Sequence, residues 1–202
     1  PYDRLGIICG PCHAEEVAME KLSYLTIACA DEDKAQMMAN LLTCRYIKTS
    51  ITEDVFGTEI SAVYKNVVAI ASGLYHGLGY GDNFQAVLMS NAIREIKRFV
   101  DAVSPVHRDV NSSAYLGDLL VTGYSQFSRN RTFGTMLGKG YTVKFAQLEM
   151  NMIAEGYYAA KSLVEINKKF DVSIPIADAV NRVLYEKMSP QIEMRLLADK
   201  LN

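Results

Sequence analysis

Apolar and polar positions follow two different patterns along the chain, and the change comes near residue 53. Before it, short apolar runs alternate with amphipathic stretches, and after it apolar residues recur every three or four positions. The runs predict strands at 5–9, 24–30 and 46–49, with helices at 14–22 and 31–43 between them. Alternation of strand and helix is typical of an α/β unit, and this unit is too short to be a whole doubly wound domain.

After residue 53 the spacing predicts helices almost alone. The expected helices are 54–75, 82–101, 129–138, 142–149, 155–170, 175–186 and 190–200. Residues that favour helix starts support several of these limits. Pro175 and Pro190 stand at first helical positions, the second after Ser189 as N-cap. Asp82 with Gln85 three residues later resembles a capping box.

The predicted organisation is therefore mainly α, with an α/β remnant at 1–53 and an all-helical domain at 54–202. Half of the 202 residues are apolar, which suffices for a core. The net charge of −2 argues against the basic surface that nucleic-acid binding requires. Neither a leader peptide nor an apolar stretch of membrane-spanning length is visible, so we expect a cytoplasmic protein.

One lysine lies within an otherwise apolar predicted helix, and it is the only charged residue of 60–74. The apolar stripe of this helix is Ile60, Val63, Val67, Ile70, Ala71 and Leu74, and its line of small residues is Ala62, Asn66, Ala69 and Gly73. Such a helix is expected to be buried. Lys65 then either extends to water at a helix edge or is held by partners, and spacing favours neither. Burial would favour its neutral form, which suits proton transfer, and the adjacent Asn66 suggests a shared polar site.

Two further polar features complete a candidate site. Asp118 is the only carboxylate in the apolar stretch 115–121, and a buried carboxylate needs a cation such as Lys65. The run Ser128-Arg129-Asn130-Arg131 opens a predicted helix. Free N–H groups, the helix dipole and a bidentate arginine suit a phosphate there. The alternative is an ordinary capped helix with two solvated arginines.

The cysteines raise a rival hypothesis. Cys9-Gly10-Pro11-Cys12 matches a redox dithiol motif and lies between a predicted strand and helix. A thiol oxidoreductase is therefore one alternative, and reduced buried thiols are the other. Cys29 and Cys44 lie far apart in sequence and do not form a second closely spaced pair, which argues against a zinc site.

Other motif-like features have simpler explanations. The glycines of Gly77-x-Gly79-x-Gly81 follow a helix rather than a strand, so they lack the context of a dinucleotide-binding loop. The three histidines, His13, His76 and His107, show no metal-ligand spacing, so we expect surface or core roles and no metal.

Taken together, these segments resemble one family, the NAD(P)-dependent glycerol-3-phosphate dehydrogenases. The matching segments run in order along the chain: 10–16, 59–71, 77–83, 116–122, 128–131, 154–156, 175–176 and 183–185. The resemblance implies interconversion of dihydroxyacetone phosphate and sn-glycerol 3-phosphate with NAD(P)H, in support of glycerophospholipid synthesis. It also implies an all-helical C-terminal domain of the 6-phosphogluconate-dehydrogenase-like type, preceded by the end of a Rossmann domain.

The resemblance further implies a role for each site residue. Lys65 is the acid/base residue, and Asp118 holds it and the substrate oxygens. The implied substrate contacts are Gly10, Cys12, Lys65, Asn66, Asp118, Thr122, Ser128, Arg129 and Asn130. The implied cofactor contacts are Ala14, Arg129, Ile153 and Glu155. Cys12 departs from the Ser or Thr that the family usually has.

Alternatives to this family stay open at the level of sequence. A related β-hydroxyacid dehydrogenase shares the lysine–asparagine pair, but the run 128–131 favours the glycerol-phosphate branch. A non-catalytic interaction module would require an exposed Lys65. The expected partners are a small phosphorylated substrate and, as a candidate, a second copy of the chain.

The cofactor site that the resemblance implies is incomplete in this sequence. No Gly-x-Gly-x-x-Gly loop follows a strand, although that loop cradles the cofactor pyrophosphate in Rossmann domains. We therefore expect that these 202 residues alone neither bind NAD(P)H tightly nor turn over substrate.

Overall fold

The first part of the chain forms a small three-stranded sheet with two helices. The computed structural model describes residues 4–150, 152 and 154–202. The strands are β1 (Gly6–Cys9), β2 (Ser23–Cys29) and β3 (Ile47–Thr52), and the helices are α1 (Ala14–Ala18) and α2 (Glu32–Leu42). The strand order is β1-β2-β3, with β1 antiparallel and β3 parallel to β2. Helix α2 provides the crossover that a parallel pair requires.

A small core of its own holds this sheet to α2. Ile27 and Cys29 of β2 are buried against Ala35 and Ala39 of α2. The two alanines are four residues apart and therefore share one face of the helix. Asp31 caps α2 by accepting a hydrogen bond from the Lys34 N–H at 3.1 Å.

Eight α-helices make up the rest of the described chain, and α3 runs through their middle. Their bounds are α3 (Val55–Gly77), α4 (Asp82–Val103), α5 (Asp118–Tyr124), α6 (Arg129–Gly138), α7 (Val143–Glu149), α8 (Gly156–Asn167), α9 (Pro175–Tyr185) and α10 (Pro190–Ala198). A five-residue π-helical turn, Ser113–Gly117, leads directly into α5. Helices α4, α5, α6, α8 and α9 all pack on α3. Its buried apolar residues therefore lie in the main core.

Glycines let α3 and α6 approach at backbone distance. A methyl group at Gly134 would collide with the carbonyl oxygen of Ile70, and one at Gly73 with that of Arg131. Gly77 and Gly138 meet in the same way one turn further on. This contact fixes α6, and with it the run 128–131, against the helix that carries Lys65.

The mainly helical fold class is confirmed, and each predicted helix after residue 53 is present with limits within three residues of those expected. The limits of the three strands and of α2 also agree within three residues, and only α1 differs more. The predicted helix 14–22 ends at Ala18 instead, shortly before Glu20 takes a positive φ of 55°. Helix α5 and the π-helical turn were not predicted. The domain boundary at residue 53 stays a prediction.

Two sequence-based details are wrong. Asp82 is the first residue of α4 and Gly81 is its N-cap, so there is no capping box. The Gln85 amide instead lies buried and donates to the Ser72 hydroxyl at 2.5 Å. Val63, placed in the apolar stripe, is 37% exposed, because neighbouring helices cover the Tyr64 side of α3 at this level.

Candidate active site

Lys65 and Asp118 form a close ion pair between α3 and α5. The Lys65 Nζ lies 2.6 Å from both carboxylate oxygens of Asp118. The Asp118 side chain is 3% exposed, whereas that of Lys65 is 21% exposed. Lys65 is thus held by a partner and still reaches a solvent-accessible cleft, so it combines the two alternatives that its spacing left open.

Two more groups contact the Asp118 carboxylate. The Gly10 N–H donates to it at 3.3 Å, and the Thr122 hydroxyl, one helical turn further along α5, donates at 3.4 Å. Gly10 has a φ of 120°, and a side chain there would meet the carbonyl oxygen of Tyr24 at 2.7 Å. A glycine is therefore required for the backbone to bring this N–H to Asp118.

The run 128–131 caps a helix and also presents polar groups to the cleft. The Ser128 hydroxyl accepts the Arg131 N–H at 3.3 Å as the N-cap of α6. The Asn130 side-chain oxygen accepts the Gly156 N–H at 2.9 Å, which leaves its amide NH₂ to donate to a ligand. Arg129 is exposed, with Nη1 3.5 Å from the sulfur of Met152. A hydroxyl, an amide and a guanidinium meet at this helix start, a combination suited to an anion.

A single cleft of about 520 Å³ brings most of the predicted site together. The predicted residues that line it are Cys12, Ala14, Lys65, Asn66, Thr122, Ser128, Arg129, Asn130 and Glu155. Gly10 and Asp118 do not line the cleft but contact each other behind Lys65. Ile153 lies outside the described residues.

A family comparison matches the part of the chain that carries this cleft. The model described as NAD-dependent glycerol-3-phosphate dehydrogenase C-terminus matches residues 54–195. The chain belongs to this family.

Individual relatives agree with the family assignment. A glycerol-3-phosphate dehydrogenase of Salinibacter ruber is 37% identical over 188 residues, which cover 93% of this chain and 55% of the relative. One of an Exiguobacterium species is 38% identical over 193 residues, covering 96% and 57%. The chain therefore spans just over half the length of the curated relatives it matches.

Solved structures show the same fold. The glycerol-3-phosphate dehydrogenase of Coxiella burnetii superposes with a TM-score of 0.92 at 30% identity, covering 95% of this chain and 59% of that one. The enzyme of Dunaliella salina gives a TM-score of 0.86 at 25% identity, covering 94% and 34%.

The thiols of this chain do not fit the dithiol hypothesis. A redox dithiol needs an accessible cysteine whose pKa is lowered. Cys9 is only 7% exposed, and burial, with a further contribution from Asp118, raises its pKa to about 11. Burial also raises the pKa of Cys12. All four cysteines are free. The reduced-thiol interpretation therefore replaces the rival.

Five residues of the cleft were not among the predicted contacts: His13, Glu15, Ala62, Phe127 and Met152. Ala62 precedes Asn66 by one helical turn, so the line of small residues on α3 carried the signal for it. His13 was assigned to the surface or core, but it lines the cleft, with its ring 6.3 Å from that of Phe127 in an edge-to-face arrangement. No local pattern marks Phe127 or Met152, because tertiary packing alone brings them to the cleft.

Two further searches cover the described residues. Within residues 4–150, 152 and 154–202, no group of three or more His, Cys, Asp or Glu side chains is arranged to hold a metal ion. In the same part of the chain, no helix combines the length and apolar character needed to cross a bilayer.

Proposed function

We propose that the protein containing this chain interconverts dihydroxyacetone phosphate and sn-glycerol 3-phosphate with NAD(P)H. One observation supports this above the others. The Lys65 Nζ, paired with Asp118 at 2.6 Å, lines the same cleft as Ser128, Arg129 and Asn130. A proton carrier and an anion site side by side suit a reaction at a carbonyl two bonds from a phosphate ester oxygen.

Lys65 is the proposed acid/base residue. When the carbonyl carbon is reduced, negative charge develops on its oxygen, and a nearby ammonium can donate the proton that makes the hydroxyl. In the reverse direction the neutral amine accepts that proton. Asp118 keeps the amine in place by accepting its hydrogen bonds with both carboxylate oxygens.

The phosphate is the proposed partner of the α6 start. Arg129 can grip it with two parallel N–H groups, while Ser128 and Asn130 donate from the same helical turn. The free N–H groups and dipole of the ten-residue α6 add to the attraction. Cys12, Asn66 and Thr122 then line the remaining part of the substrate site.

The cleft also fits part of a cofactor. It measures about 520 Å³, which is much more than a three-carbon phosphate needs, and Ala14, Arg129 and Glu155 line it. We propose that these residues contact NAD(P)H, which supplies the hydride when bound. The protein contributes binding, orientation and charge.

The direct test is activity of the full-length protein with Lys65→Met. Wild-type protein should oxidise NAD(P)H in the presence of dihydroxyacetone phosphate, and loss of the acid/base group should lower kcat by about 10²–10⁴-fold. Lys168→Met is the matched control, because the Lys168 side chain is 65% exposed and pairs with Glu165 away from the cleft. Equal rates for wild type and Lys65→Met would remove Lys65 from the mechanism. Preferred turnover of 6-phosphogluconate or 3-hydroxyisobutyrate would favour a related dehydrogenase instead.

Assembly and location are separate predictions. Sedimentation of the full-length protein tests the expected homodimer, and cell fractionation tests the expected cytoplasmic location.

A further inference from the structure

A buried cluster of charged and polar groups lies at the start of α3, outside the cleft. The Arg108 guanidinium donates to Asp54 through Nε at 2.8 Å and through Nη2 at 3.3 Å. Its Nη1 donates to Asp101 at 2.5 Å, and Nη2 also donates to the carbonyl oxygen of Ser104 at 2.7 Å. The Tyr115 hydroxyl donates to Asp54 Oδ2, the oxygen that also accepts from Arg108 Nε.

The centre of the cluster, Arg108 with Asp54, is shielded from water, and its charges are paired. The Arg108 side chain is 2% exposed and that of Asp54 is 11% exposed. Burial alone would raise the pKa of Asp54, but hydrogen bonds from Arg108 and Tyr115 outweigh it and hold the pKa below its ordinary value. Burial and the Asp54 charge raise the pKa of Tyr115, so its hydroxyl stays a donor. Removing one member therefore leaves a buried partner unsatisfied.

Three segments of the chain meet at these side chains. Asp54 is the N-cap of α3 and also accepts the Gly57 N–H at 3.0 Å. Arg108 belongs to the loop that follows α4, and Tyr115 belongs to the π-helical turn Ser113–Gly117. A methyl group at Gly57 would collide with both the Tyr115 hydroxyl and the Asp54 carboxylate. The contact of Tyr115 with the start of α3 therefore leaves no room for a side chain at residue 57.

The same segments carry the two members of the catalytic pair. Lys65 lies on α3, the helix that Asp54 caps, and Asp118 begins α5 directly after the π-helical turn. Apart from Lys65, the hydrogen bonds to the Asp118 carboxylate are long, at 3.3 and 3.4 Å. Bonds of this length restrain a side chain weakly. The position of Asp118 therefore depends on how its backbone is held.

A π-helical turn needs such support. It is a rare conformation that occurs mostly as single turns at functional sites. Rewinding it as an ordinary α-helix would alter its register by one residue, which corresponds to about 100° of rotation. That change would turn Asp118 away from Lys65. The Tyr115 hydroxyl opposes it, because its hydrogen bond to Asp54 ties the turn to the start of α3.

We propose that Asp54, Arg108 and Tyr115 are positioning residues that hold Asp118 against Lys65 and thereby sustain the rate of proton transfer. The proposal rests on the proposed function for its kinetic consequence. Its structural consequence, the closeness of Lys65 and Asp118, is independent of the substrate.

The test is Tyr115→Phe in the full-length protein, which keeps the ring and removes only the hydroxyl. The kcat for dihydroxyacetone phosphate reduction should fall at least tenfold, because a small misplacement of a catalytic group has effects of this size. The KM should stay within about twofold, since Ser128, Arg129 and Asn130 are fixed through the glycine contact of α6 with α3. Arg108→Lys keeps the positive charge but loses the planar guanidinium with its several N–H donors, so it should give an intermediate kcat.

A second ion pair provides the matched control. Arg182 and Glu193 join α9 to α10 at 2.8 Å, with the Glu193 side chain 3% exposed. Arg182→Gln should lower Tm and leave kcat unchanged. If Tyr115→Phe and Arg108→Lys likewise lower Tm without lowering kcat, or if kcat and KM change together, the cluster is only structural and the proposal is overturned.

A crystal structure of Tyr115→Phe separates this proposal from the proposed function. We expect the distance from Lys65 Nζ to the Asp118 carboxylate to increase from 2.6 Å. An unchanged pair and an unchanged π-helical turn would overturn the positioning role. If wild-type protein fails to reduce dihydroxyacetone phosphate, the proposed function fails, and this distance still decides the role of the cluster.

Discussion

At the scale of single residues, the site combines burial with access. Asp118 is almost completely enclosed, and it is tolerated there because Lys65, Gly10 and Thr122 all donate to it. Lys65 is the member of the pair that reaches the cleft. The carboxylate therefore lies in the interior, and the amine faces the cleft. Breaking such a pair costs more than the pair itself contributes, because one charge is left buried.

Arg129 should determine substrate affinity more than rate. Arg129→Lys keeps the charge but loses the two parallel N–H groups that match a phosphate, so KM for dihydroxyacetone phosphate should rise about tenfold or more. Steady-state kinetics of the full-length protein measure this. Arg131→Lys, two residues along the same helix and not lining the cleft, should leave KM unchanged. Equal effects of the two variants would contradict the assignment of the phosphate to Arg129.

The residues that sequence could identify are those with local signals. Lys65 is visible as one charge in an apolar helix, and its contact with Asp118 follows from the need of a buried carboxylate for a cation. Asp54, Arg108 and Tyr115 give no such signal, since they lie up to 61 positions apart and only the tertiary fold brings them together. His13 is missed for the same reason.

At the scale of elements, the contact between α3 and α6 fixes the distance between Lys65 and the start of α6, which are the proposed proton carrier and the proposed anion site. It depends on two glycines on each helix, four residues apart. They are Gly73 and Gly77 on α3, and Gly134 and Gly138 on α6. Their absent side chains let backbone meet backbone.

Gly134→Ala should therefore destabilise the protein. The added methyl group collides with the Ile70 carbonyl oxygen, which belongs to a helix that cannot yield easily. We expect a loss of about 3 kcal/mol in the free energy of unfolding, measured by urea denaturation. At Gly81 a methyl group meets nothing within 4 Å, so Gly81→Ala should cost less than about 1 kcal/mol. Similar losses for both variants would contradict the close helix contact.

Glu95 links three helices and should make stability depend on pH. Its buried carboxylate on α4 accepts the Tyr64 hydroxyl at 2.7 Å and two N–H groups of α9, those of Ile176 at 2.9 Å and Ala177 at 3.0 Å. Burial raises its pKa from 4.5 to about 7, against the opposing effect of these hydrogen bonds and of Arg98. The folded state thus keeps a proton that the unfolded state loses.

The sign of the effect follows from linkage. Below pH 4.5 both states hold the proton, and between about 4.5 and 7 the unfolded state releases it first, so stability falls as pH rises. The loss should be on the order of 3 kcal/mol. Urea denaturation across this range should show that Glu95→Gln flattens this part of the profile. An identical slope for wild type and Glu95→Gln would contradict the raised pKa.

Helix periodicity made most elements predictable, and the exceptions have physical causes. The π-helical turn and α5 were missed because 115–121 is a short, almost continuous apolar run, in which no period separates helix from strand. The supposed capping box failed because Gln85 finds better partners in the core, with its amide bonded to the Ser72 hydroxyl rather than to the helix end.

At the scale of the whole molecule, the cleft draws residues from both parts of the chain. Cys12, His13 and Ala14 come from the region of the small sheet, and the others come from the helical part. The family resemblance implied the mainly helical fold class, because the matching segments run in order along the chain. It also implied that residues of both parts contribute to one site. The division into two domains at residue 53 remains to be tested by their separate unfolding.

The chain studied alone should bind the cofactor only weakly. It supplies Ala14, Arg129 and Glu155 but has no glycine-rich loop to hold a pyrophosphate. NADH should therefore raise the Tm of the full-length protein and leave that of the 202-residue chain nearly unchanged. A comparable rise in both would show that the chain holds a complete cofactor site.

We propose that one cleft holds a proton carrier and a phosphate site for the same substrate. A crystal structure of the full-length protein with sn-glycerol 3-phosphate measures this most directly. We expect the Lys65 Nζ within about 3.2 Å of the C2 hydroxyl, with the phosphate on Ser128, Arg129 and Asn130. A ligand bound with its phosphate elsewhere, or with its C2 hydroxyl beyond the reach of Lys65, would contradict it.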